Sequence, residues 1–287
     1  MSVERSTEYL QVVTPEGPRR MAYQRWTDTT QTPTRLLICV HGLTRNSRDF
    51  DALAERLAGE YLVICPDVLG RGDSDWLVQS ALYGYPLYLA QMQQLLLTLA
   101  AQTGLNDCDW VGTSMGGLIG MMLAAQPDSM IRRLVMNDVG PFIPYAALAR
   151  LGQYVGKAPL FDSVASAEAF LRVVAAPFGP LTDDQWRHLA EHGTEPCEGQ
   201  LRLRYDPAIA EGFALVTGDI DLSVVWNAVT CPVLVIRGGE SDLLLAGTAR
   251  SMLQRPDTQL VEFPGIGHAP MLMARDQINA VEHFLFG

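Results

Sequence analysis

The feature of the sequence that most constrains the fold is the stretch at 111–117, which reads VGTSMGG. It contains a G-x-S-x-G pattern, with strand-favouring apolar residues before it and a long aliphatic run at 118–125 after it. A strand, a sharp turn and a helix form the context in which this pattern holds a nucleophilic serine. The small residues let strand and helix approach without a clash at Cβ. The stretch therefore predicts a nucleophile elbow, with Ser114 at a helix N-terminus that favours developing negative charge.

Composition and charge narrow the possible classes of protein. The 287 residues suffice for one large domain or for a domain with an insertion, and 48% of them are hydrophobic. A net charge of −11 argues against nucleic acid as a partner, because no basic stripe can neutralise phosphates. No continuous apolar segment reaches about 18 residues, and the N-terminus lacks the apolar centre of a secretion signal. We therefore expect a cytoplasmic protein without a membrane span.

Strand-like and helix-like segments alternate along most of the chain. A hairpin is predicted first, with strands at 9–13 and 21–26. Continuous apolar runs then follow, as expected for strands that are buried on both faces of a sheet. These runs lie at 35–40, 61–65, 109–112, 133–137, 231–237 and 259–263. The alternation predicts the α/β class, a mostly parallel central sheet with helices on both faces.

The alternation stops between Phe142 and Trp226. This segment is helix-like and amphipathic, shows no strong strand, and is punctuated by prolines. We predict a core of residues 1–141 and 227–287, with a helical lid, or cap, inserted at 142–226. In open α/β sheets the ligand crevice lies at the carboxyl ends of the strands, and the loops with reactive side chains follow strands here.

Four features, in this order, resemble the α/β-hydrolase fold superfamily, in its serine carboxylesterase and lactonase-like branch with a helical lid. They are His41-Gly42 after the third strand, the elbow at Ser114, an acidic loop at 237–242, and His268 in a Gly-His-Ala-Pro loop. The resemblance covers essentially the whole chain and keeps the order of serine, acid and histidine.

A serine nucleophile needs a base, because a free hydroxyl reacts poorly near neutral pH. The chain has five histidines, and the resemblance marks His268 as the base. His188 and His192 lie at helical spacing in the predicted lid, where we expect them to be solvated.

The base needs a carboxylate that fixes its tautomer and stabilises the imidazolium. The resemblance places this acid at Asp242, a few residues beyond its strand. Glu240 is an alternative in the same loop. Asp138, directly after the preceding strand, is another, because some relatives place the acid there.

The resemblance also implies an oxyanion hole made by the backbone N–H groups of Leu43 and Met115. His41 is expected to hold the oxyanion loop by hydrogen bonds and is also a candidate substrate contact. Aromatic residues of the predicted lid are candidates for an acyl pocket or, alternatively, for the lid core. These aromatic residues are Phe142, Tyr145, Phe178 and Trp186. Asp73, in a G-x-G-x-S stretch, is expected to belong to a structural turn.

Motifs for cofactors and metals are not found in the sequence. No G-x-G-x-x-G follows the first strand, no G-K-[ST] occurs, and no H-E-x-x-H or C-x-x-C spacing is present. We expect neither a cofactor nor a metal, and we expect the five cysteines to be reduced thiols.

The leading hypothesis is a serine hydrolase, a carboxylesterase that acts on small to medium neutral esters through an acyl-enzyme. A lid with few basic residues favours a neutral, modestly hydrophobic ester or lactone as the small-molecule partner. Alternatives on the same fold are an enol-lactone hydrolase and a C–C hydrolase of aromatic ring-cleavage products. A non-catalytic ligand receptor is the alternative of another class, since a fold does not fix a function.

Overall fold

A central eight-stranded sheet organises the molecule. The structure, a computed structural model, describes residues 2–287, with the backbone alone at Phe213 and Ala214. The strands of this described part are β1 (Val3–Thr14), β2 (Gly17–Asp28), β3 (Leu36–Val40), β4 (Leu62–Pro66), β5 (Cys108–Thr113), β6 (Ile131–Asn137), β7 (Phe142–Ile143), β8 (Leu160–Phe161), β9 (Thr194–Cys197), β10 (Gln200–Leu203), β11 (Ile220–Asp221), β12 (Val233–Gly238) and β13 (Thr258–Phe263).

The α-helices lie between these strands and at the C-terminus. They are α1 (Asp51–Leu57), α2 (Tyr85–Thr103), α3 (Met115–Ala124), α4 (Tyr145–Leu151), α5 (Val164–Val174), α6 (Asp183–Gly193), α7 (Ser223–Ala228), α8 (Ala246–Met252) and α9 (Arg275–Phe286). No helix among residues 2–287 has both the length and the apolar character needed to cross a bilayer.

The sheet has the strand order β1-β2-β4-β3-β5-β6-β12-β13. The β1–β2 hairpin is antiparallel and packs against β4 in the antiparallel sense, whereas β4, β3, β5, β6, β12 and β13 are mutually parallel. The mostly parallel sheet predicted from the sequence is therefore confirmed. Because the six parallel strands run in one direction, the loops that follow them meet at one edge.

Successive side chains of the central strands point alternately into two separate hydrophobic cores, one on each face of the sheet. Leu36, Ile38 and Val40 of β3 pack with α2 and α3, and Leu37 and Cys39 pack with α1 and α9. This alternation is the two-residue period of a strand, and burial on both faces explains why β3 is apolar throughout.

The segment 142–226, called the insertion below, joins β6 to the last part of the core. It contains α4, α5, α6 and most of α7, together with a three-stranded antiparallel sheet, β8-β10-β9, and the β7–β11 pair. The prediction of a purely helical segment is wrong on this point. These strands are two to four residues long, too short for an alternating pattern to stand out in the sequence.

Candidate active site

The elbow around Ser114 joins β5 to α3 through a strained backbone. Ser114 has φ +52° and ψ −115°, an unfavourable conformation for a residue with a side chain. A Cβ on Gly116 would lie 2.0 Å from the carbonyl oxygen of Val40, and one on Gly112 would lie 2.2 Å from the Gly116 backbone. The glycines of the motif are therefore required by close approach of α3 to β3 and β5.

Three side chains form a continuous chain of hydrogen bonds at the carboxyl edge of the sheet. Ser114 Oγ lies 2.9 Å from Nε2 of His268, and Nδ1 of His268 lies 2.7 Å from Oδ2 of Asp138. With Nδ1–H donating to the carboxylate, Nε2 is left to accept the serine proton. The arrangement can therefore move a proton from the hydroxyl to the ring and stabilise the resulting imidazolium.

Asp138 is held by the loop that follows the neighbouring strand β12. Its side chain is fully buried, and it accepts hydrogen bonds from the backbone N–H of Gly238 at 2.8 Å and the hydroxyl of Ser241 at 2.5 Å. These donors compensate the desolvation of a buried carboxylate. They also fix the oxygen that faces His268.

The placement of the acid at Asp242 is corrected by this geometry. Asp242 is exposed, and both of its carboxylate oxygens accept hydrogen bonds from Arg150 of the insertion, at 2.5 and 2.8 Å. Glu240 is exposed as well. The loop after β12 reaches the site with Ser241, which bonds to Asp138, so its charged residues point elsewhere. Asp138, the alternative named from the sequence, is the carboxylate beside His268.

The two amides expected to form an oxyanion hole lie next to Ser114. Leu43 follows β3 and Met115 opens α3, and neither backbone N–H donates a hydrogen bond within the described part of the chain. Two free N–H groups beside a nucleophile can bind the negative oxygen of a tetrahedral intermediate.

His41 holds the oxyanion loop and is not exposed to a ligand. Its Nδ1–H donates to the carbonyl of Gly42 at 2.7 Å, and its Nε2 accepts from the N–H of Val68 at 3.0 Å. The ring is 0% exposed, and burial lowers the pKa of His41 to about 3. The assignment of His41 as a substrate contact is therefore corrected, whereas its expected role in holding the loop agrees with these bonds.

Arg71 is a functional residue that the sequence reasoning missed. It is 0% exposed and lies behind the oxyanion loop, where Nε donates to the carbonyl of Leu43 at 2.8 Å. Its other partners are the carbonyl of Leu69 at 2.8 Å, the hydroxyl of Tyr88 at 3.0 Å and the sulfur of Met115 at 3.6 Å. None of these partners is a carboxylate, so a buried positive charge lies beside Leu43 and Met115. The sequence signal that could have identified Arg71 is its position between two glycines, at 70 and 72.

Asn137 is a second residue that was missed. It ends β6, is fully buried, and its side-chain amide donates to the hydroxyl of Thr113 at 2.9 Å and to the carbonyl of Pro270 at 2.8 Å. These bonds tie the end of β5, just before Ser114, to the loop that carries His268. A polar residue at the end of an otherwise apolar strand was the available signal.

Two cavities meet at Ser114. One, with a volume of about 110 Å³, lies on the side of His268 and is bordered by charged residues, among them Arg45, Asp49 and Arg150. The other, of about 350 Å³, reaches Ser114 from the side of Leu43 and Met115 and has a mostly apolar lining. The site can therefore accommodate a substrate on both sides of the serine, with different chemistry on each side.

The aromatic residues named from the sequence contribute less to these cavities than expected. Trp186 is buried in a hydrophobic cluster of the insertion, and Phe142 pairs with Asp221 between β7 and β11. Neither residue lines a cavity that reaches Ser114, so both substrate-binding assignments are corrected. Phe178 does line the cavity beside His268.

One group of side chains in the described part of the chain has the composition of a metal site. Atoms of Asp51, His188 and His192 lie within 4.8 Å of one another. The guanidinium of Arg48, however, donates to Asp51 at 2.8 Å and lies 3.2 Å from Nδ1 of His192. Because this cation contacts two of the three side chains and would repel a metal ion, we interpret the group as a contact that holds α6 against the core. His188 and His192 are partly buried there and not solvated as expected.

Comparison with known proteins identifies the family of the chain. A model of the Alpha/beta hydrolase family matches residues 37–281, most of the chain. The chain belongs to the α/β hydrolase family. The 3-hydroxybutyrate-oligomer hydrolase of Cupriavidus necator is 41% identical to the chain over an alignment of 298 residues, which covers 100% of both proteins.

Other hydrolases also resemble the chain over most of its length. The 2-(acetamidomethylene)succinate hydrolase of Mesorhizobium japonicum is 32% identical over 81% of each protein. The crystal structure of an α/β hydrolase from Novosphingobium aromaticivorans has a TM-score of 0.86 and 35% identity, and the match covers 100% of this chain and 99% of that one. The chain is therefore a hydrolase of this family.

Proposed function

We propose that this protein is a serine ester hydrolase that cleaves oligoesters of 3-hydroxybutyrate, or of closely related hydroxy acids, through an acyl-enzyme. The observation that carries the proposal is the hydrogen-bonded chain from Ser114 through His268 to Asp138, with two free amides beside the serine. The substrate class comes from the 41% identity to a 3-hydroxybutyrate-oligomer hydrolase along the full length of both chains.

In the proposed reaction, Ser114 Oγ attacks the ester carbonyl carbon while its proton passes to Nε2 of His268. The carbonyl oxygen becomes negative and is bound by the N–H groups of Leu43 and Met115, each worth about 3 kcal/mol to the transition state. The C–O bond to the alcohol then breaks, and the leaving oxygen takes the proton from His268. Water attacks the acyl-enzyme by the same route, releases the acid and restores the serine hydroxyl.

Asp138 has a positioning role in this scheme. Its carboxylate keeps the proton on Nδ1 of His268 and stabilises the imidazolium that forms during each proton transfer. Gly238 and Ser241 both donate hydrogen bonds to it and hold it in place. Arg71 adds a fixed positive charge beside Leu43 and Met115, which favours the negative oxygen.

The test is hydrolysis of 3-hydroxybutyrate dimer and trimer by the wild type and by Ser114→Ala. We expect the wild type to release 3-hydroxybutyrate and the variant to lose more than about 10³-fold in kcat. A fluorophosphonate probe should label the wild type covalently and leave Ser114→Ala unlabelled. Ser129→Ala, in the turn after α3, is the matched control and should keep both activity and labelling.

Activity retained by Ser114→Ala would contradict the proposed nucleophile. A wild type that reacts with the probe but leaves the oligomers intact would contradict the substrate class alone. In that case short alkyl esters, an enol lactone, a ring-cleavage diketone and 2-(acetamidomethylene)succinate distinguish the remaining classes.

A further inference from the structure

The larger cavity at Ser114 contains a polar group that its apolar lining does not explain. Three tyrosines of the α2 region border this cavity, namely Tyr83, Tyr85 and Tyr88. The hydroxyl of Tyr83 donates to Asp206 at 2.7 Å, and that of Tyr88 accepts from Arg71 at 3.0 Å. Tyr85 differs, because within the described part of the chain its hydroxyl has no hydrogen-bond partner.

Tyr85 is half-buried, and its unpaired hydroxyl remains accessible. Its ring packs edge-on against that of Tyr88, with 6.1 Å between the ring centroids. Burial raises the pKa of Tyr85 above its usual value, with a smaller contribution from Tyr88. An accessible phenol that has no protein partner is free to donate a hydrogen bond to a ligand in the cavity that supplies an acceptor.

The chemistry at Ser114 decides which part of a substrate enters this cavity. The leaving alcohol must lie within reach of Nε2 of His268, which lines the smaller cavity. The carbonyl oxygen points at the amides of Leu43 and Met115. The acyl chain therefore extends into the larger cavity, which Leu43, Met115 and Tyr85 all line.

We propose that Tyr85 donates a hydrogen bond to an oxygen atom carried on the acyl chain, and so selects oxygen-substituted acyl groups over plain alkyl ones. This inference rests on the proposed ester hydrolysis and names the acyl specificity of that site. A 3-hydroxyacyl group carries such an oxygen at C3, as a free hydroxyl at the end of an oligomer or as an ester oxygen within it. Tyr85 is a specificity residue here and takes no part in proton transfer.

The alternative is that the cavity recognises shape and apolar area alone. An apolar cavity of that kind would favour a methyl group over a hydroxyl at the same position, because the hydroxyl loses water without compensation. The two views thus predict opposite preferences for a pair of substrates of nearly equal size.

The experiment compares methyl 3-hydroxybutyrate, tested as separate enantiomers, with methyl 3-methylbutyrate, in which a methyl group replaces the hydroxyl. The kcat/KM of each ester is measured by titration of the acid released. We expect the wild type to favour one enantiomer of the hydroxy ester over the methyl analogue. In Tyr85→Phe this ratio should fall about five- to tenfold, the worth of one neutral hydrogen bond. Tyr9→Phe, an exposed tyrosine on β1, is the matched control and should keep the wild-type ratio.

An unchanged ratio in Tyr85→Phe would overturn the inference, and so would a wild type that favours the methyl analogue over both enantiomers. The wild-type comparison decides the matter even if the variant folds poorly, which near-UV circular dichroism detects. A wild type that hydrolyses neither ester, nor the oligomers above, would instead refute the proposed function.

Discussion

The core and the insertion meet at Ser114, but they hold their side chains in different ways. In the core, Asp138, His41 and Arg71 are 0% exposed, and each is fixed by several hydrogen bonds to the backbone or to buried groups. In the insertion, Arg150 reaches the core through an ion pair with Asp242 whose side chains are 32% and 47% exposed.

This difference in how side chains are held suits the core and the insertion to two different tasks, the chemical reaction and the shaping of the substrate cavities. Buried, hydrogen-bonded groups keep reacting atoms within a fraction of an ångström, which proton transfer and oxyanion binding need. An exposed ion pair contributes little to stability and is screened by salt, so it can change without disturbing the reaction. We therefore assign the chemistry to the core and the shape of the substrate cavities to contacts between core and insertion.

The largest expected contrast is between two carboxylates, Asp138 in the core and Asp242 at the edge of the insertion. Asp138→Asn should lower kcat by about 10⁴-fold, because an amide no longer holds His268 in the correct tautomer. Asp242→Asn should change kcat less than about threefold, since its partner is an exposed arginine. Steady-state kinetics on one ester measure both. A large loss in Asp242→Asn alone would reverse the assignment of the acid.

A second contrast concerns two arginines. Arg71→Met should lower kcat by about 10²-fold, with a smaller change in KM, because the carbonyl of Leu43 loses its donor and the oxyanion loses a buried charge. Arg172→Met, which breaks ion pairs within the insertion, is the matched control. Affinity for a phosphonate transition-state analogue should fall in parallel with kcat. A rise in KM with unchanged kcat would instead assign Arg71 to substrate binding.

The pH dependence of stability gives a third contrast, between His41 in the core and His192 in the insertion. Burial lowers the pKa of His41 to about 3, below the value near 6.5 of an unfolded chain. Its contribution to stability is complete above pH 6.5 and is lost as the pH falls towards 3, by at most about 1.4 kcal/mol per pH unit. In His41→Asn the free energy of unfolding in urea should therefore decrease less steeply between pH 7 and pH 5.

His192 should change the pH dependence of stability in the same direction as His41, because its pKa is also lowered. Burial and then the charge of Arg48 lower the pKa of His192 to about 3. Because this ring is half-buried, His192→Asn should flatten the pH dependence less than His41→Asn does. If His192→Asn flattened the pH dependence of the free energy of unfolding as much as His41→Asn or more, the contact between α6 and the core would exclude water as completely as the core does.

The smallest expected effect is the coupling between Arg150 and Asp242. A double-mutant cycle with Arg150→Met and Asp242→Asn should give a coupling free energy below about 1 kcal/mol that decreases with added salt. The free energy of unfolding of each of the four proteins is measured by urea denaturation. A coupling well above this, insensitive to salt, would mean that the insertion is fixed as firmly as the core.

The sequence predicted those parts of the site in which the backbone itself demands particular residues. The elbow needs glycine at 112 and 116, so its pattern pointed to Ser114, and the resemblance to the family pointed to His268 in the loop after the last strand. The acid was harder to predict, because Asp138 and Asp242 both follow strands that end at the same edge. Which of them faces His268 depends on the path of the loop after β12, a tertiary property. Arg71 occupies a variable position of the G-x-G-x-S stretch and Tyr85 lies outside the motifs described above, so the motifs do not predict their roles, which come from what surrounds them.

The hydroxyl of Ser241 is the side-chain group through which the loop after β12 reaches Asp138. It donates to Asp138 and accepts from the backbone N–H groups of Leu243 and Leu244, at 3.2 and 3.1 Å, so one small side chain ties its loop to the acid. In the proposed reaction, with Asp138 as the acid, Asp242 takes no part in proton transfer. Its partner Arg150 borders the cavity beside His268, so substitutions at 242 should alter the entry of substrates and leave the hydrogen bonds around Asp138 intact.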